Sequence, residues 1–452
     1  MKTSIEKLFL LPLLIATLGW LPTGRMSAQT LTILHNFTNS PDGYRPVAVI
    51  LTGDRLYGTA SSGGTNGSGT VFALNTDGSS YTNLHSFTSG SIYFTESSPN
   101  AVLLVGNTLY GTTYAGNTVF AINTNGTGFT NLTSFSGVNG AYPEGSLLLS
   151  GNTLYGTTSQ DGSGYYGTVY AVNTNGTGGI SAVYSFTGGL DGNGPVAGLI
   201  LSGNTLYGTA YNGGSENGGT VFGVNTDGTD FTNLHSFASF PNDGYWPQGR
   251  LVLSGNTLYG TAQYGGTSDY GTVFAVNTDG TGFTNLYNFT GGNDGGYPKA
   301  ELILSGSTLY GTAQYGGSSE DGTVFAISTN GTGFTILHTF GGTDGASPGS
   351  SMILSGNILY GTTGGGGSVG DGTVFSLSLV PVVSTPQLAI NLSGTNVVLT
   401  WPTNGTPFTL QTTTNLAAPV WITNSPAPVV INTNNVVTNN ISGKQMFYRL
   451  SQ

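Results

Sequence analysis

Residues 250–289 read RLVLSGNTLYGTAQYGGTSDYGTVFAVNTDGTGFTNLYNF. Short runs of β-branched, aromatic and aliphatic residues are cut by Gly-Asn, Gly-Gly and Asp-Gly, the pattern of strands joined by tight turns. It predicts four strands: Arg250 to Leu253, Thr257 to Thr261, Thr272 to Val276 and Phe283 to Phe289. Gly255-Asn256 joins the first two by a two-residue turn that accepts positive φ and matches strand twist. Asn277-Thr278-Asp279-Gly280 joins the last two.

The stretch is the fifth of seven copies. Leu-Tyr-Gly begins at Leu56, Leu109, Leu154, Leu206, Leu258, Leu309 and Leu359, at spacings of 45 to 53 residues. Gly-Thr-Val-Phe or a close variant follows at Gly69, Asn117, Gly167, Gly219, Gly271, Gly322 and Gly372. Each fourth strand then ends in Phe, at Phe37, Phe87, Phe135, Phe186, Phe237, Phe289 and Phe340. Four-stranded units of this length are characteristic of propeller blades, because solenoid coils have shorter periods. The expected fold is therefore all-β: a seven-bladed β-propeller of four-stranded blades over residues 29–379. Its phase is informative. Leu31 to Phe37 is a strand of the fourth type, whereas the copy begun at Ser351 stops after its third strand at Phe375 to Leu377. The N-terminal strand is expected to complete the last blade and close the ring, which leaves no free sheet edge.

The order of apolar strand, Leu-Tyr-Gly with a downstream Gly-Gly such as Gly265-Gly266, then Val-Phe-Ala-Val-Asn, then Phe-Thr-Asn-Leu resembles the strand order of kelch repeats. Phe or Tyr stands where kelch repeats carry Trp in the fourth strand, so that resemblance is architectural. The wording over roughly residues 30–378 resembles more closely the GloVer-type tandem repeat of secreted bacterial "choice-of-anchor" proteins. This resemblance implies a secreted repeat protein with an exchangeable C-terminal sorting or anchoring part. It implies no defined activity.

Composition agrees with an extracellular setting. Of 452 residues 75 are Gly and only 6% are charged, so Asn, Thr, Ser and Gly must carry solubility. Lys2 and Lys7, the apolar run Leu8 to Leu18 and the small pair Ser27-Ala28 make residues 1–28 a signal peptide. That segment is too short in apolar residues to span a bilayer, and no later one qualifies. The formal charge of −11, with no basic run, argues against nucleic acid and anionic lipid as partners. The chain has no cysteine, which removes disulfides and thiolate chemistry.

After residue 379 the period breaks. Residues 380–387, with Pro381 and Pro386, read as a linker. Residues 388–452 hold strands at Leu388 to Leu392, Asn396 to Trp401, Phe408 to Thr414, Val420 to Thr423 and Met446 to Leu450, the makings of a small fibronectin-like β-sandwich. It is either a sorting or attachment module or a plain spacer.

The residue types that carry chemistry follow the repeat. His35, His85, His235 and His338 each stand two residues before the marker Phe, so a ring would hold them apart and no metal is expected. Asp77, Asp227 and Asp279 occupy a hairpin slot that Asn125, Asn175 and Asn330 fill elsewhere, an exchange that turns tolerate and proton transfer does not. The order Asp-Gly-x-Gly or Asp-Gly-x-Asp does not match the Asp-box of sialidase propellers. No calcium loop, nucleophile elbow or phosphate loop is present. No cofactor and no catalytic residue are expected, and the chain is expected to be monomeric.

One constellation remains. Turns between first and second and between third and fourth strands share one face of a four-stranded meander. The other two loops share the opposite face, and they carry aromatics: Tyr114, Tyr211, Tyr264 and Tyr315 after Leu-Tyr-Gly, and Tyr44, Tyr142, Tyr245, Trp246 and Tyr297 before the proline that opens each unit. Such rings suit packing over neighbouring blades, capping the ring, and they also suit stacking on sugars. The expected partner is a polysaccharide or cell-envelope component met by a secreted, non-enzymatic binding or structural protein. The rival is a carbohydrate-active enzyme using Asp243, Asp269, Asp294, Glu320 and Asp321, which requires two carboxylates about 5–9.5 Å apart across a pocket.

Overall fold

Hairpin chemistry sets each unit. In the fifth, strands Val252–Ser254, Thr257–Gly265, Thr272–Asn277 and Thr284–Asn288 pair in order as an antiparallel meander. Ser254 faces Thr257 across the two-residue turn, where Gly255 takes φ 57°. The second hairpin closes on an Asx turn, the Asp279 carboxylate accepting the Thr281 N–H at 2.9 Å. Asp77, Asn125, Asn175, Asp227 and Asn330 accept in the same way from the residue two positions on. The exchange of Asp for Asn is thus an exchange of equivalent acceptors.

The computed structural model describes residues 29–88, 98–238, 243–379, 388–403, 408–415, 419–424, 426–431, 434–440 and 446–451. The expected signal peptide and the linker at 380–387 lie outside them. Among the described residues the only helix is a 3-10 turn, Gly137–Asn139, and no helix is long and apolar enough to cross a membrane.

Seven such sheets occur in the unit Gln29–Val380. Six are built from consecutive strands. The seventh comprises Ile353–Ser355, Ile358–Thr363, Thr373–Ser378 and, as its fourth strand, Leu31–Asn36, with Leu31 opposite Leu377 and Asn36 opposite Thr373. The marker Phe of every fourth strand packs edge-on against an aromatic of the next sheet's third strand. The pairs are Phe87–Phe120, Phe135–Tyr170, Phe186–Phe222, Phe237–Phe274, Phe289–Phe325 and Phe340–Phe375 at 4.7–5.3 Å. Phe37 adds the seventh, reaching Phe72 at 5.2 Å from the last sheet to the first. Leu-Tyr-Gly needs its glycine for this core: a Cβ on Gly260 would lie 2.6 Å from Phe274 Cζ.

The first strand is shorter than expected. Val252–Ser254 begins after Arg250 and Leu251, and a separate strand, Gly244–Pro247, pairs with the same neighbour through Tyr245 and Tyr264. Pro247 has no N–H for the ladder and interrupts it. In the first unit, one residue shorter at this point, the two pieces fuse into Tyr44–Thr52 with a register shift between Pro46 and Ala48.

Beyond Val380 a second unit holds a four-stranded sheet, with Ala389–Ser393, Asn396–Pro402, Asn434–Asn440 and Val429–Ile431 in that order, and a three-stranded one, Ile422–Thr423, Thr409–Thr413 and Phe447–Ser451. Leu399, Trp401 and Val437 of the first sheet share an apolar cluster with Leu410, Tyr448 and Leu450 of the second. Asn434–Asn440 is an interior strand that the sequence reading passed over, because its four Asn read as turn.

Candidate functional site: a loop face around a central cavity

The seven prolines that open the units position the loop face. The residue before each has a left-handed backbone: Arg45 (φ 55°), Ser98 (57°), Tyr142 (57°), Gly194 (63°), Trp246 (61°), Tyr297 (58°) and Ser347 (55°). Pre-proline residues favour the extended region, so tertiary contacts impose this geometry at a cost of about 1 kcal/mol or more for each non-glycine. The contacts are hydrogen bonds to the preceding sheet. Trp246 N–H donates to the Gly218 carbonyl at 2.8 Å, Tyr297 N–H to Tyr270 at 2.7 Å and Arg45 N–H to Asp371 at 3.0 Å. In the second unit, where Asn117 replaces the glycine of Gly-Thr-Val-Phe, its side-chain oxygen accepts from Tyr142 N–H at 2.5 Å. Elsewhere that glycine makes room for the next proline. Gly271 has φ 94°, and a Cβ there would lie 2.6 Å from Pro298 Cδ; Gly372 stands in the same relation to Pro46 at 2.7 Å. One strap therefore joins each sheet to the next, the last to the first included.

Residues in or just before the first strands of all seven sheets, from Val49 and Val102 through Leu147, Ile200, Leu251 and Leu302 to Met352, line one cavity of about 760 Å³. Glu144, Gln248, Arg250, Lys299 and Glu301 gather at a narrower recess lined by the segments after the prolines. Arg250 Nη1 lies 3.7 Å from Glu301 Oε1. Arg250 Nε has no hydrogen-bond partner among the described residues. Burial pushes the Glu301 carboxyl up, opposed by Arg250 and by a hydrogen bond from Ser351. Burial likewise raises Glu144, against a bond from Ser159, and lowers the Lys299 ammonium. The sequence reading missed these five residues. The signal was present: they stand where other units carry Ser146, Gly198 and Ser351, or Val47, Val196 and Gly349.

The expected aromatics, apart from the exposed Tyr315, are half-buried, and most are interlocked. Tyr211, Trp246, Tyr264, Tyr297 and Tyr315 form a continuous rail, with centroid separations of 5.0, 5.1, 4.9 and 5.9 Å. Tyr245 stacks on Tyr264 at 5.6 Å and donates to Asp269 at 2.9 Å; burial first, then that bond, pushes its hydroxyl up to about 12. Tyr142 pairs with Tyr114 at 5.1 Å. Tyr44 joins no ring among the described residues; the Arg45 guanidinium lies 5.7 Å from its centroid. Tyr211–Trp246 and Tyr264–Tyr297 cross from one unit to the next, whereas Trp246–Tyr264 and Tyr297–Tyr315 lie within a unit, so the rings pack both within and between units and also present a partly open surface. Tyr315 is 45% exposed.

Three of the five loop carboxylates hold turns, those of Asp243, Asp269 and Asp294. Asp243 accepts from the Gly244 N–H at 2.7 Å and lies 2.7 Å from His235 Nε2. Asp269 accepts the Gly265 N–H at 3.0 Å. Asp294 accepts the Tyr287 hydroxyl at 3.0 Å and the Thr290 N–H at 2.9 Å. Glu320 takes φ 64° in a turn, and the Asp321 carbonyl receives the Ser347 N–H at 2.9 Å. The histidines repeat one arrangement: His35 and His338 meet Asp42 and Asp344 at 2.9 and 2.8 Å as His235 meets Asp243, and His85 stacks on Phe129 at 3.7 Å. No group of three or more His, Cys, Asp or Glu that could hold a metal occurs among the described residues.

These features define a charge-poor, all-β repeat protein of propeller-like sheets. The chain belongs to the Gloeobacter/Verrucomicrobia repeat family, whose model matches residues 23–211 and 176–375. No curated protein matches it. Among solved structures it is similar to a peptidase from Mycobacterium tuberculosis that hydrolyses puromycin (12% identity, 80% of this chain and 59% of that one, TM-score 0.50). It is also similar to the computationally designed Ika8 protein (16%, 80% and 95%, 0.46) and to a GH74 enzyme of Niastella koreensis (16%, 83% and 59%, 0.48). At these identities the likeness is one of fold and does not extend to activity.

Proposed function

We propose that the seven sheets are the blades of a closed β-propeller and that this propeller is a secreted, non-enzymatic binding protein whose loop face takes polysaccharide. Closure is supported by the straps and Phe pairs that join last sheet to first, and by the one cavity to which all seven units contribute residues in or just before their first strands. The carrying observation for binding is the rail of rings from Tyr211 to Tyr315 beside a polar recess. Sugar rings offer apolar C–H faces that stack on such aromatics while their hydroxyls bond neighbouring amides and charges. The commitment of Asp243, Asp269 and Asp294 to turn hydrogen bonds favours this over the glycosidase or lyase reading. The second unit is read as a fibronectin-like sandwich that spaces or attaches the propeller at the cell surface.

A glycan array probed with the full chain tests the reading. Binding to at least one polysaccharide is expected, weakened about tenfold in Trp246→Ala, the loss of one stacking ring. Absence of binding, or an unchanged variant, overturns it.

A further inference from the structure

The unit Gln29–Val380 contains only four cations, Arg45, Arg55, Arg250 and Lys299, among nineteen Asp and Glu. Three of the four border the central recess or the trough beside it. Arg250 is answered by Glu301, whereas Arg45 and Lys299 make no salt bridge among the described residues. Lys299 is half-buried as well, and a desolvated ammonium without a counter-charge is costly.

Both free cations border one trough of about 690 Å³, together with Tyr44, Tyr315 and Gln314. The trough exists because the seventh unit breaks the repeat. Where the fifth and sixth place Gln263-Tyr264 and Gln314-Tyr315, the seventh has Gly364-Gly365, and both glycines line the trough. Asp371 also borders it, and its carbonyl is occupied by the Arg45 N–H. The result is a sugar-sized depression with an open tyrosine at one wall and two unpaired cations at its edge.

We propose that this trough is a subsite for a carboxylated sugar, a uronate residue of an acidic polysaccharide, with its carboxylate on Lys299 and Arg45 and its ring against Tyr315. The proposal rests on the reading of the loop face as polysaccharide-binding and names the class of sugar. Guanidinium and ammonium groups form charge-assisted hydrogen bonds to carboxylate, and a neutral sugar gains nothing from them. The surrounding acidity repels a densely charged polymer and so favours a short or sparsely charged chain.

Isothermal titration of the full chain with hexamers of galacturonate and mannuronate, against cellohexaose as the neutral probe, decides the matter. Tighter binding of a uronate hexamer is expected, weakened roughly tenfold in Lys299→Met and several-fold in Arg45→Gln and by added salt. Both variants should keep the wild-type melting temperature, Arg45 being exposed and Met retaining the aliphatic stem of Lys299. Binding of cellohexaose without preference for uronate overturns this proposal and leaves the broader reading standing. Uronate binding that survives both substitutions also overturns it. Failure of every glycan to bind overturns both.

Discussion

The imidazole of His235 lies flat on the ring of Phe283 in the next unit, centroids 3.5 Å apart and planes within 4° of parallel. Its Nε2 meets Asp243 in the same geometry that Tyr184 and Tyr287 use toward Asp191 and Asp294 through their hydroxyls. Those tyrosines also stack on the following unit, on Phe231 and Phe334 at 4.1 and 3.7 Å. The slot calls for a flat ring with a polar tip.

His235→Tyr is therefore expected to stay within about 1 kcal/mol of wild type, whereas His235→Ala should lose about 2–3 kcal/mol, combining a stacked pair with a hydrogen bond to a buried carboxylate. Urea unfolding of the two variants measures the contrast. Equal losses would show that the slot has a requirement particular to histidine.

His35 occupies the same slot in the N-terminal strand. Burial holds its pKa below the ordinary 6.5, with Asp42 acting in the opposite direction. The unfolded chain then takes up this proton before the folded one does, so the contribution is fully present above about pH 6.5 and declines as pH falls below it. Comparing urea midpoints at pH 7.5 and 5.5 should give a smaller drop for His35→Tyr than for wild type.

Deleting residues 29–37 removes Phe37 and the strand paired to Thr373–Ser378. In an open array such a loss would only fray one end. In a closed ring it exposes an edge and opens the seam, so a large fall in melting temperature and concentration-dependent association by gel filtration are expected. A truncated chain that stays monomeric and melts near wild type would refute closure.

Gly271→Ala must place a methyl 2.6 Å from Pro298 Cδ and equally near two carbonyl oxygens, at φ 94°. A loss of at least about 2 kcal/mol is expected from strain and clash together. Asp227→Asn, by contrast, should melt with wild type, because Asn125 and Asn175 already perform its turn, and Asp227→Ala should melt lower.

Much of this was legible beforehand. Seven units, the four strands of each and the pairing of Leu31–Asn36 with the last copy follow from marker spacing and phase, and the equivalence of Asp279 and Asn330 follows from turn chemistry. Two features were not. The left-handed backbone of Trp246 and its counterparts opposes the local preference before proline, and the hydrogen bonds that their N–H groups donate to the preceding unit hold it. The recess of Glu144, Gln248, Arg250, Lys299 and Glu301 was not legible because its members come from three units and form no local motif, although each of the five departs from what its slot holds elsewhere.

The sequence by itself determined the local hairpins, their number and the phase at which the chain starts and stops. These depend on residues within a few positions of each other, where turn type and alternation suffice. Tertiary structure decided which repeat-breaking residues meet. Arg45 and Lys299 are separated by more than half the chain and border one trough because the sheets succeed one another around a common cavity. The same packing engages the aromatic rings with one another, within and between units, and leaves only part of the rail open. Convergence of that kind belongs to the arrangement of sheets, and no spacing rule within a single repeat encodes it.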